Sequence, residues 1–189
     1  MSDTSNYTGN YVTDGKIGID LTATYASTSA GSTSVMPHKP GDRCSGSNNS
    51  VWIFTRAAST IAQFDVVSFG TFADSAVSSD QTVAPTVQAV PITVAGIANA
   101  GVANSGAMVG IAQVAIASAN YGWVAINGAA LRCNVLVACQ PKVMLFATST
   151  GGSLDDATTS VAYISGITIN TSATSASAPW CVANYPHID

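Results

Sequence analysis

Charged side chains make up only 8% of this 189-residue chain, its ten acidic residues are all aspartate, and the formal net charge is -4. Soluble domains usually carry about 25% charged residues and build exposed helix faces from Glu, Lys and Arg, so a helix-rich soluble fold is excluded. The six basic residues, Lys16, Lys39, Arg43, Arg56, Arg132 and Lys142, are scattered, which leaves no track for a phosphate backbone and excludes nucleic acid as a partner.

Residues 1–50 are rich in Ser, Thr, Gly and Asn. Met1–Asn10 has neither a basic n-region nor an apolar h-region, so no secretory signal is expected there. Reduced thiols are then the default for Cys44, Cys133, Cys139 and Cys181. Pro37 and Pro40 force extended backbone around them. A segment that cannot form its own core yet carries apolar and aromatic anchors predicts an extended N-terminal arm that orders on a neighbouring subunit. Its expected interface residues are Tyr7, Tyr11, Ile17, Ile19, Leu21, Tyr25, Met36 and Pro37.

From Val51 to the end, short apolar runs alternate with turn residues, which predicts an all-β domain over residues 51–189, an antiparallel β-sandwich or a barrel-like fold. The expected strands are 51–56, 61–72, 87–97, 108–117, 121–126, 129–139, 142–147 and 161–169. Asn127-Gly128 reads as a type I′ hairpin turn, because both residues tolerate positive φ. In the 129–139 strand, Cys133, Val135, Val137 and Cys139 share the inward side, so the two thiols are expected buried and unbonded. The 108–117 strand is small and apolar on both faces, as expected where one face meets its own core and the other a second subunit. A charge-poor surface predicts a homodimer or homotrimer. No charge falls between Asp80 and Arg132, but Pro91, Asn99, Asn104, Gln113 and many glycines interrupt that stretch, and no membrane span is expected.

Nothing in the pattern calls for catalysis. His38 and His187 lie in Pro-flanked segments without a neighbouring nucleophile arrangement. Cys133 and Cys139 are spaced too widely for a zinc ligand pair. Asp155-Asp156, after Gly151-Gly152, could offer oxygens to calcium, yet adjacent strand residues point to opposite faces. The glycines of 96–101 lack the lysine and strand-to-helix context of a phosphate loop. Trp52, Tyr121, Trp123 and Trp180 would form a sugar-stacking platform if exposed, whereas large aromatics more often fill cores and interfaces. The expectation is a non-enzymatic chain with no catalytic residue, cofactor or metal.

Four segments carry a resemblance: Ile61-Ala62-Gln63-Phe64-Asp65-Val66-Val67, Val94-Ala95-Gly96-Ile97-Ala98, the run from Asn120 through Trp123 and Gly128 to Ala130, and Leu145 to Asp156 with its Ser-Thr-Gly-Gly-Ser-Leu-Asp-Asp end. Over residues 51–170 the chain resembles the small decoration, or cement, proteins of tailed bacteriophages and related phage virion proteins. The resemblance implies assembly in the host cytoplasm, attachment to the exterior of an icosahedral head, and bridging of the major capsid protein's subunits, with no catalytic residues. The rival is a carbohydrate-binding, host-attachment module in a tail or head fibre, to which the long N-terminal arm also points.

Overall fold

The structure is a computed structural model and describes residues 19–26, 38–72, 86–93, 107–157 and 162–189. Among these there is no helix, and therefore none long and apolar enough to cross a membrane. The strands are β1 (Arg43–Gly46), β2 (Ser50–Ala57), β3 (Val66–Phe72), β4 (Thr86–Pro91), β5 (Val109–Ala112), β6 (Tyr121–Arg132), β7 (Leu145–Ala147), β8 (Leu154–Asp155), β9 (Tyr163–Ile169) and β10 (Trp180–Ile188). The all-β expectation holds. Pairing is antiparallel between named strands except for β2 with β4, which run parallel.

Five of the strands close on themselves: β2 pairs with β4, β4 with β3, β3 with β5, β5 with β6, and β6 returns to β2. Side chains alternate across a strand, so each ring strand sends one set of residues into the ring and the other outward. Ile53, Ala57, Val67, Phe69, Ala89, Ala112, Val124 and Ile126 form one buried cluster drawn from all five ring strands, with Ile61 and Ile116 joining it. This is the ring's filled interior. Gly110 and Gly122 keep it so: a Cβ on Gly110 would meet Val124 at 2.6 Å, and one on Gly122 would meet Ile116 at 2.7 Å.

The alternate residues Trp52, Phe54, Trp123, Ala125 and Ile111 enter a larger cluster on the ring's outer face, which β7, β8, β9 and β10 cover. Both faces of β5 are thus buried by the chain itself, and the second subunit expected over 108–117 is not needed there.

Asn127-Gly128 is not a hairpin. β6 runs through it as one 12-residue strand. The ladder with β2 shifts register just before it, between Ala125 and Asn127, and the ladder with β10 shifts just after it, between Gly128 and Leu131. Gly128, at φ 156, sits between two bulges, where β6 bends from the ring towards β10. Asn127 stays out of the positive-φ region and donates its side-chain amide to the Asn49 carbonyl at 2.9 Å. The tight turn made by asparagines lies elsewhere: Asn48 (φ 56) and Asn49 (φ 57) reverse the chain between β1 and β2.

The expected strand over 129–139 also stops early, at Arg132. Beyond it Val135 makes single bridges to Leu154 and Ser177, and Ala138 at φ 69 turns the chain. Val137 is 61% exposed rather than inward, while Cys133 and Cys139 are buried and all four cysteines are free.

The boundary expected after Ser50 falls within the β1–β2 hairpin. Leu21 is enclosed by the outer core, and Ile19 and Tyr25 pack against it. Tyr25 exchanges two 2.8 Å backbone bonds with Tyr121. The His38 ring lies 5.0 Å from that of Trp123 and 5.3 Å from that of Phe54. Residues 19–26 and 38–50 therefore belong to the domain's own packing. Tyr7, Tyr11, Ile17, Met36 and Pro37 lie outside the described residues, as do the 94–98 segment and the Asn104-Ser105-Gly106 break.

Candidate functional site

A clamp between the turn before β3 and the residues after β6 builds one side of a groove. The Asp65 carboxylate accepts from the Ala62 N–H at 2.7 Å and from the Asn134 amide at 3.0 Å, and that amide also donates to the Gln63 carbonyl at 3.1 Å. Asn134 N–H donates to the Phe64 carbonyl at 2.9 Å. Gly152 must be glycine here, at φ 75, because a Cβ would run into the Asp65 carboxyl. Burial pushes Asp65 above its ordinary pKa, and the Ala62 and Asn134 hydrogen bonds pull part of the way back. The turn so held carries Phe64 in the left-handed region at φ 69 and leaves Gln63 exposed.

Against this turn lies Arg132, at the end of β6. Its guanidinium sits 5.0 Å from the Phe64 ring centre and 5.7 Å from that of Trp180, and its Nε donates to the Ala178 carbonyl at 2.8 Å. Gln113 locks the backbone beneath: its Nε2 donates to the Arg132 carbonyl at 2.9 Å and its Oε1 accepts from the Arg132 N–H at 3.2 Å. Together with Thr22, Val114 and Ala130 these residues line an open groove of about 310 Å³.

The expected tryptophan platform does not assemble. Trp52 and Trp123 are fully buried, and Trp180 is 45% exposed. Trp180 belongs to β10, which sequence reasoning missed. Pro186 and the polar 170–179 stretch hid that strand, as did the register shift between Ala183 and His187, which puts the inward Cys181 and Ala183 out of phase with the buried Ile188.

Asp155 and Asp156 do not diverge. β8 ends at Asp155, so the alternation rule no longer governs Asp156, and ligand atoms of both carboxylates and the Cys139 thiol lie within 4.8 Å of one another. Burial, then the Asp156 and Asp155 charges, push the Cys139 thiol up to about 12. One Asp156 oxygen already accepts from the Gln140 N–H at 3.0 Å. Cys133 is likewise pushed well above its usual value, first by a hydrogen bond with Cys181 and then by burial. His187 Nε2 lies 3.1 Å from the Asp189 carboxylate, both side chains being over 40% exposed.

No family model matches the chain, and no curated protein matches it. Among solved structures, the chain is similar to the N base of head fibre gp8.5 of bacteriophage phi29, at 10% identity and a TM-score of 0.42, over 74% of this chain and 98% of that one. A likeness this loose carries no argument about fold or role.

Proposed function

We propose that the protein is a non-enzymatic structural component of a tailed-phage virion, which decorates the capsid exterior and bridges subunits of the major capsid protein. The observation that carries this reading is an apolar surface on a chain with little charge. Val137, Val143 and Met144 are 61%, 41% and 60% exposed within one loop, and β10 adds Trp180, Val182 and Tyr185. Exposed apolar side chains gathered in one place mark surfaces that partners cover, and the loop holds three within eight residues. The filled ring supports the same role, since its interior is packed with side chains and the fold is a rigid block. The sequence resemblance to decoration proteins supplies the partner. The homodimer or homotrimer expected from the low charge belongs to the same proposal.

Mass spectrometry of purified virions with copy numbers tests it. Hundreds of copies per particle are expected for a decoration protein. A handful would favour the second reading, a host-attachment fibre component that binds carbohydrate, for which the half-exposed Trp180 beside an open groove speaks.

A further inference from the structure

We propose that the groove between Phe64, Arg132 and Trp180 binds a sugar ring that carries a carboxylate. The chain has six basic residues in all, and one of them is fixed at this spot. Arg132 is held from three sides: two aromatic rings flank the guanidinium, Nε is tied to Ala178, and Gln113 pins the backbone. Its two terminal nitrogens have no protein partner among the described residues, although the side chain is exposed. A guanidinium presents those nitrogens in a planar fork that matches a carboxylate, and here little motion is left to lose on binding.

The other groups fit the rest of a sugar. Trp180 lines the groove and is 45% exposed, which leaves apolar indole surface beside the guanidinium for the C–H side of a pyranose. Gln63 spends its Nε2 on the Gln113 carbonyl at 3.0 Å, which leaves its amide oxygen to accept from a hydroxyl. The Thr22 hydroxyl donates to Asp20 at 2.6 Å and keeps its accepting capacity. A volume of about 310 Å³ lies at the small end of ligand pockets, the scale of a single ring with its substituents. This inference does not depend on capsid decoration, and its failure would leave that reading intact.

Acrylamide quenching of tryptophan emission on the full-length protein tests it. Trp52 and Trp123 are enclosed, so the accessible fraction reports Trp180. Methyl glucuronide should protect that fraction saturably at millimolar concentration, while methyl glucoside and acetate, which each lack one half of the ligand, should protect much less. Arg132→Gln should weaken the glucuronide at least about tenfold, the loss expected for a charge-assisted contact. Gln63→Ala, an exposed change that cannot disturb the core, should weaken it by a smaller factor and covers the case in which Arg132→Gln unfolds. The inference is overturned if the glucuronide gives no protection, if acetate protects equally well, or if both variants bind the glucuronide as the parent protein does.

Discussion

Trp52 and Trp123 are equally buried, and their indole N–H groups fare differently. Trp52 donates its indole N–H to the Ser50 hydroxyl at 2.9 Å, whereas the Trp123 N–H has no hydrogen-bond partner. Phenylalanine removes similar volume at either place, but only at position 52 does it also break a bond. Trp52→Phe is therefore expected to cost about 1 kcal/mol more than Trp123→Phe in urea unfolding. Equal losses would show that the orphaned N–H carries no penalty. Asp65 makes a pH-dependent contribution. Its folded pKa is raised above 3.8, so its stabilising share is present in acid and is lost as pH rises through the folded value. The stability advantage of the wild type over Asp65→Asn should accordingly grow when pH is lowered from about 7 towards about 4. A constant gap across that range would mean that Asp65 titrates alike in the folded and unfolded chain.

The segments before β2 show how composition misleads about an element. Polar, Pro-bearing residues read as an arm, yet Leu21, Tyr25 and His38 sit on the same aromatic group as Phe54, Tyr121 and Trp123. Loss of one buried leucine costs about 2–5 kcal/mol, so a chain that begins at Arg43 should unfold at much lower temperature or aggregate. An unchanged thermal midpoint would show that these contacts hold nothing. The ring strands were legible because Val, Ile and aromatic residues cluster in 51–56, 61–72 and 121–126, and those runs became β2, β3 and the first half of β6. Three features were hidden by long-range geometry. Asn127-Gly128 has the chemistry of a turn, but partners on both sides, β2 and β10, hold it in a bent strand. β10 was obscured because its proline and polar neighbours resemble a loop until β6 and β9 are alongside. In the groove, Trp180 was singled out, but Arg132 between two rings depends on residues 64, 132 and 180 meeting in space, which no spacing announces.

Across the molecule, the ring and the layer outside it are satisfied within one chain, whereas the surface is not. Val137 and Met144 stand out from a loop whose only charged side chain from Leu136 to Met144 is Lys142. Sedimentation of the isolated protein at micromolar concentration is expected to show a dimer or trimer, and replacing Val137 and Met144 together with serine should shift it towards monomer with little change in stability. A parent protein that sediments as a clean monomer would count against the oligomer. In the proposed role, attachment to the capsid is expected to be insensitive to salt, since the surface has few charges to be screened. The most direct test adds the purified protein to phage heads that lack it and measures bound copies per particle together with the temperature at which the heads release DNA. Saturable binding at a fixed multiple of the capsid lattice is expected, alike in low and high salt, with a higher release temperature. Heads that stay bare, or that take up only a few copies with no change in release temperature, would contradict it.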